Sequence, residues 1–258
     1  MIPTPLGLLL GLGVGIVLGL LGGGGSILAV PIFLYVFHVP TKPAIAMSLA
    51  VVGMSAFVGF LTHWRQGSVN LRVAAPFGLC AMLSAFLAAR LTHFVPERVQ
   101  LALFAAFAFT AAFFMLRDSL RTAPAARYGM VPGALPQFSV GLALEAVGVG
   151  ALTSLIGAGG GFVIVPALVL LANVPVKMAV GSSLLIITLN ALSGFAGYIG
   201  QVAIDWPLVL SFTAVAAVGA VAGTRLNRRV PQNRIKQGFA VLIGVLGTYL
   251  ILKRLVGF

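Results

Sequence analysis

The chain is poor in the side chains that most enzymes use. Of its 258 residues four are acidic, three are histidine and one, Cys80, is cysteine. A single cysteine excludes an internal disulfide and a thiolate metal cluster. His38, His63 and His93 lie at segment ends or in a loop and none is grouped with a carboxylate, so the sequence offers no metal site. No Ser-His-Asp, HExxH or Walker pattern stands where chemistry could use it. The expectation is a protein that is not an enzyme and carries no cofactor. Charge is scarce as well: 8% of residues are charged against 60% hydrophobic, and the mean hydropathy is +1.13. Soluble domains carry about 25% charged residues, so this composition points to a polytopic membrane protein.

What charge there is has one sign. The formal net charge is +12, and its Lys and Arg residues lie mostly in short loops between apolar stretches. That distribution sets membrane topology and does not make a nucleic-acid surface. The expected setting is the cytoplasmic membrane, crossed several times, with the lipid bilayer as surroundings and no nucleic-acid partner. The first residues lack a basic n-region, so Leu6–Leu21 reads as a retained helix.

Within this apolar chain stands "LLGGGGSILAVPIFLYVF", Leu20–Phe37. Each glycine costs a helix interior about 1 kcal/mol relative to alanine, so four in succession break it. A break at membrane depth leaves N–H and C=O groups without water to satisfy them. The run occurs twice. "LGGGGSILAVPIFLYVFHVPTKPAIAMSL" aligns without gaps on "IGAGGGFVIVPALVLLANVPVKMAVGSSL", pairing Pro31 with Pro166, Pro40 with Pro175, Lys42 with Lys177 and Ser48 with Ser183, an offset of 166 − 31 = 135. The register continues through Gly59/Gly194, Gln66/Gln201, Arg90/Arg225 and Pro96/Pro231. The chain reads as a tandem duplication, residues 1–116 and 137–258, joined by a Pro-, Gly- and Arg-rich linker at 117–136.

Each half parses alike. A helix (Leu6–Leu21; Phe138–Ile156) ends at the glycines, a short segment follows (Ile27–His38; Phe162–Asn173), and three longer stretches complete the half (Pro43–Thr62, Leu71–Leu91 and Arg98–Leu116; Met178–Gly200, Pro207–Leu226 and Arg234–Leu252). A crossing needs about 20 residues, more than the short segment has. The first two elements form either a glycine-hinged re-entrant hairpin or one crossing plus a stub. The hairpin inverts the second half relative to the first. It gathers Arg65, Arg72, Arg117, Lys177, Arg225 and six others, 11 of the 16 basic residues, on one side. The alternative, parallel halves, splits them 9 against 7. The positive-inside rule favours inversion. The fold expected is therefore an all-α integral membrane protein of two inverted tandem repeats, each a glycine-broken helical hairpin plus three transmembrane helices.

Paired breaks at matching positions point to a secondary transporter with its site at the repeat interface. A helix starting after Gly25 or Gly160 presents free N–H groups and a positive dipole end, suited to an anion. The expected substrate-binding residues are Gly23, Gly24, Gly25 and Ser26 with Gly159, Gly160 and Gly161 at the breaks. Ser48 and Ser55 with Ser182, Ser183 and Asn190 join them from the facing helices. The bland alternative is close packing, which certainly describes the spacing-four stripe Gly7, Gly11, Gly15, Gly19 and Gly23; for any single serine it is interhelical hydrogen bonding. Glu97, Asp118 and Asp205 fall at helix ends or in turns, whereas Glu145 lies within a helix, opposite Leu10 in the repeat. It is the candidate for proton coupling, set against an interfacial carboxylate paired with an Arg.

The segments "GGGGSILAVPIF" and "GAGGGFVIVPAL", each followed by a "VP-x-K" turn and an "A-x-(S)-S-L" helix start, resemble the TauE/SafE family of sulfite and organosulfonate exporters over nearly the whole chain. The resemblance implies a small membrane protein exporting a small sulfur-containing or carboxylate anion. Alternatives are a proton-coupled importer, or a carrier of another small solute on the same scaffold. The sequence does not fix the oligomeric state; a homodimer is one option.

Overall fold

The computed structural model describes residues 5–23, 25–120, 139–172 and 174–226. Among them the chain is helical throughout, in nine helices: α1 (Pro5–Leu21), α2 (Ser26–Pro31), α3 (Thr41–Arg65), α4 (Leu71–Leu91), α5 (Glu97–Leu120), α6 (Val140–Ile156), α7 (Gly161–Leu170), α8 (Val176–Tyr198) and α9 (Trp206–Leu226). Four of these, α3, α4, α8 and α9, are long and apolar enough to cross a membrane. α5 runs to Leu120, into the stretch expected as linker. The remainder of that stretch, Gly24 and the last expected helix, Arg234–Leu252, lie outside the described residues.

Local chemistry sets the helix ends. Side chains cap the starts of α4, α6 and α9: Asn70 accepts from the Arg72 amide, Ser139 from Leu142 and Asp205 from Leu208. Pro40 and Pro175 stand at the N-caps of α3 and α8. Gly157 closes α6 in the left-handed conformation, φ 75°, which a residue with a Cβ adopts only with strain. Pro31, inside α2, has no N–H to continue the ladder, and the helix widens into a π-turn at Ile32–Val36. α7 has ten residues and a rise of about 15 Å, half the hydrocarbon thickness, so it cannot span alone.

Small residues hold the bundle together. A Cβ at Gly15 or Gly19 of α1 would strike the backbone of Ala216 or Ala220 in α9, and one at Gly223 would strike Ile16. A Cβ at Gly150 of α6 would strike Ala81 of α4. Such contacts let helices approach closely where lipid supplies no hydrophobic drive. The two sets correspond: 15 + 135 = 150, and 81 + 135 = 216. Contact registers also give directions. Gly11 meets Phe212 and Gly15 meets Ala216, so α1 and α9 run parallel. Gly53 meets Leu192 and Gly59 meets Leu184, so α3 and α8 run antiparallel.

α3 and α8 are mostly buried and form the centre, while α4 and α9 present rows of exposed leucine and valine outward, among them Leu79, Leu83, Leu87, Leu210 and Val218. At one end of the bundle Lys42, Arg90 and Gln201 line a single cavity. At the other, the Asn70 amide donates to Ser182 Oγ at 2.8 Å.

Candidate functional site

The two glycine breaks meet. A Cβ built at Gly23 would collide with Cα of Gly161, and one at Gly161 would collide with Cα of Gly23. Gly159 faces Val52 and Ile187 and lies near Ser26, so the start of each short helix touches the other half of the chain. All the described break residues, Gly23, Gly25, Ser26, Gly159, Gly160 and Gly161, are buried. The backbone there takes glycine's conformations: φ is 70° at Gly22, 147° at Gly23 and 72° at Gly160.

The carbonyls freed by the breaks are satisfied by side chains. Ser183 Oγ of α8 donates to Gly22 O at 2.5 Å, and Ser48 Oγ of α3 donates to Gly157 O at 2.6 Å. These are one contact made twice with the halves exchanged, since 22 + 135 = 157 and 48 + 135 = 183. Ser26 Oγ donates to Gly23 O at 2.7 Å. In the last turn of α6, Tyr198 Oη donates to Ser154 O at 3.3 Å and Gln100 Nε2 to Leu155 O at 3.4 Å. Unpaired carbonyls are what a break at membrane depth must avoid, and here the facing helices supply the donors.

The amide side differs. In α7 the first intrahelical donors are the amides of Val163 and Ile164, both to Gly160 O, so those of Gly161 and Phe162 precede the ladder. In α2 the Ser26 amide closes on Gly23 O and that of Leu28 on Gly25 O. The amides of Gly161 and Phe162 are thus the helix-start donors at the meeting point of the breaks.

The other expected site residues sit as follows. Ser48 and Ser183 each have one hydroxyl proton, placed between the break carbonyl and a carbonyl of their own helix, Ile45 O or Val180 O, so neither has a donor left over. Ser182, next around α8, accepts from the Asn70 amide at the far end and is not brought to the breaks. Ser55 is buried with no partner at Oγ among the described residues. Asn190, 135 residues on from Ser55, donates from Nδ2 to Thr153 Oγ1 at 2.7 Å, and its buried Oδ1 has no partner among the described residues. Thr153 in turn stands against Gly160, which ties Asn190 to the second break. Glu145 is half-buried, with Oε2 buried and without a hydrogen-bond partner among the described residues. It precedes Gly157 by 12 residues, about 18 Å along the helix, so it does not reach the breaks.

Four residues of this arrangement escaped the sequence reading: Gln100, Thr153, Ser154 and Tyr198. Thr153 and Ser154 carry a signal, a polar pair one turn before the glycines in the apolar run "GALTSLIG". Gln100 and Tyr198 carry none, because a single polar residue near a helix end is ordinarily interfacial. Among the described residues no group of three metal-ligating side chains comes together.

The sequence pattern of the family described as "Sulfite exporter TauE/SafE" matches residues 7–250. A "Probable membrane transporter protein" of Xylella fastidiosa (strain 9a5c) is 33% identical over 242 residues, covering 92% of this chain and 91% of its own. YdhB of Bacillus subtilis (strain 168), also described as a probable membrane transporter protein, is 25% identical over 92% of this chain and 96% of its own. MJ0441 of Methanocaldococcus jannaschii, described likewise, is 25% identical over 96% and 95%. No solved structure matches the chain significantly. With nearly its whole length matched and four long apolar helices, the chain belongs to the TauE/SafE sulfite exporter family and is a multi-pass membrane transporter, not an enzyme.

Proposed function

We propose that this transporter exports a small oxyanion, sulfite or an organosulfonate being the family's namesake class, across the cytoplasmic membrane. The anion binds where the two glycine breaks meet, between α3 and α8. The observation that carries the reading is that meeting, Gly23 against Gly161, with the carbonyls occupied by Ser48 and Ser183. It removes the acceptors that would repel an anion and leaves leading amides of α7 to attract one. Gly159, Gly160 and Gly161 with Gly23 and Gly25 form the wall of this site; Gly24, expected with them, lies outside the described residues. Ser55 and the second amide hydrogen of Asn190 are the side-chain donors, while Ser26, Ser48 and Ser183 hold the backbone in shape.

The same reading takes the halves as inverted repeats. Two contacts support it. Lys42, Arg90 and Gln201 share a cavity at one end, and Asn70 meets Ser182 at the other. A re-entrant first hairpin puts each set on one side of the membrane. Parallel halves would put Lys42 and Gln201, and likewise Asn70 and Ser182, on opposite sides. The short helices then meet inside the bundle, as discontinuous helices do in inverted-repeat carriers.

A thermal-shift series tests the ligand class. Purified protein is heated with sulfite, sulfate, thiosulfate, sulfoacetate or short carboxylates. Binding to the folded state alone raises stability by RT ln(1 + [L]/Kd), about 2.7 kcal/mol at a hundredfold excess over Kd. Stabilisation by a sulfur oxyanion supports the reading. A response confined to cations or neutral solutes removes it.

A further inference from the structure

A second feature lies away from the breaks. At one end of the bundle the first turn of α3, the end of α4 and the residues after α8 enclose a cavity of about 480 Å³. That is within the range of about 300–1,000 Å³ typical of small-molecule sites. Lys42, Arg90 and His93 line it, with Thr92, Tyr198 and Gln201. Among the described residues no carboxylate lines it. Lys42 and Arg90 make no ion pair among the described residues; the Arg90 guanidinium lies 5.5 Å from the Phe86 ring centroid, which leaves its N–H groups for other partners.

Three basic side chains from two helix ends around one cavity, without a counter-charge among the described residues, concentrate anions there. The floor gives the cavity a direction. Tyr198 is fully buried, and its hydroxyl donates to Ser154 O in the last turn of α6, three residues before the Gly157 break. Gln100, also buried, joins Tyr198 Oη at 3.4 Å and Leu155 O. Beside them Ser154 Oγ and Gln100 Oε1 are buried, with no hydrogen-bond partner among the described residues. These groups form a polar seam from the basic cavity to the last turn of α6, just before the Gly157 break.

We propose that this cavity is an anion antechamber: it takes a free, hydrated oxyanion at the membrane face, by charge from Lys42 and Arg90, on the route to or from the breaks. The seam from Tyr198 to the α6 terminus favours a solute in transit over a lipid headgroup, which would share the oxyanion chemistry. The role in transit rests on the proposed function. Anion capture does not, and the test below reads it without any transport.

In a Cys80→Ala background, Val202→Cys places a thiol on the cavity wall, to be labelled with an anionic and a cationic methanethiosulfonate. The anionic-to-cationic rate ratio should fall about tenfold when Lys42→Gln and Arg90→Gln are added, the size expected for two nearby charges partly screened by salt. Millimolar sulfate should slow the anionic reagent, and chloride at equal ionic strength should not. An unchanged ratio, or sulfate acting no better than chloride, overturns the proposal. The unsubstituted protein gives a parallel reading: sulfate should protect Arg90, and not Arg65, from phenylglyoxal in peptide maps, and equal modification of Arg90 with and without sulfate overturns it too. Nanodiscs separate the sources. If phosphatidylglycerol closes the cavity to both reagents while phosphatidylcholine does not, the ligand is a lipid headgroup and the antechamber is refuted.

Discussion

A single methyl group added at Gly161 probes the contact on which the site depends. It would collide with Cα of Gly23, stand 2.7 Å from Gly22 O and 2.5 Å from Ile187 Cδ1. Carbon contacts settle at about 3.5–4.0 Å, so the neighbours must yield by roughly 1 Å or more. Ile187 can rotate. Gly22 and Gly23 cannot move freely, because Ser183 and Ser26 hold their carbonyls at 2.5 and 2.7 Å. Overpacking of this kind costs about 1–3 kcal/mol, offset by at most about 1 kcal/mol from replacing glycine in a helix. Gly161→Ala should therefore lower stability by about 1–2 kcal/mol and, by forcing the breaks apart, sharply reduce anion flux. Gly148→Ala is the control. Gly148 is an exposed glycine of α6 with nothing within 4 Å of a built Cβ, so that variant should be neutral or stabilised by up to about 1 kcal/mol. Unfolding in mixed micelles and flux in proteoliposomes would be measured for both. A Gly161→Ala protein that matches Gly148→Ala in both assays would show that the breaks do not touch.

Other expectations follow from the same contacts. Ser48→Ala and Ser183→Ala each strand a buried carbonyl, of Gly157 or Gly22, and each should destabilise by about 1–3 kcal/mol in the same unfolding assay; a silent variant at either position removes the capping role. In a Cys80-free protein, cysteines at Lys42 and Ala203 should label from one side of the membrane and a cysteine at Gly67 from the other, and labelling of Lys42 and Ala203 from opposite sides would contradict inversion. Glu145→Gln should keep substantial outward anion flux, because Glu145 lies about 18 Å along α6 from the break and export down the potential needs no coupling proton; loss of all flux with retained folding would make Glu145 part of the transport step.

The sequence disclosed the backbone plan more fully than the polar contacts, and the reason is physical. Glycine and proline act locally: Gly157 and Gly160 had to interrupt their helices wherever the rest of the chain went, and Pro40 and Pro175 had to stand at helix starts. The stripe Gly7, Gly11, Gly15 and Gly19 was legible as packing because small residues at spacing four have one use in a membrane helix, and it packs on Phe37, Phe212, Ala216 and Ala220. Side-chain roles depend on partners distant in sequence. Ser48 and Ser183 were expected as substrate-binding groups, and that they donate to Gly157 O and Gly22 O, across 109 and 161 residues, could be seen only in the fold. Ser182 was grouped with them by adjacency, and the turn of the helix carries it to Asn70. Tyr198 and Gln100 stayed hidden for the same reason: the carbonyls they serve, of Ser154 and Leu155, are exposed only by the break.

The central claim, potential-driven export of a small oxyanion, is tested most directly by sulfite flux in proteoliposomes under an imposed potassium diffusion potential. Each unit charge crossing the membrane is worth about 2.3 kcal/mol per 100 mV, which sustains a roughly fiftyfold gradient of a monovalent anion. The account predicts that sulfite leaves vesicles held negative inside, that its steady gradient follows the imposed potential, and that a pH gradient is not needed. Flux that ignores the potential, follows a pH gradient and vanishes in Glu145→Gln would contradict it and make the protein a proton-coupled carrier.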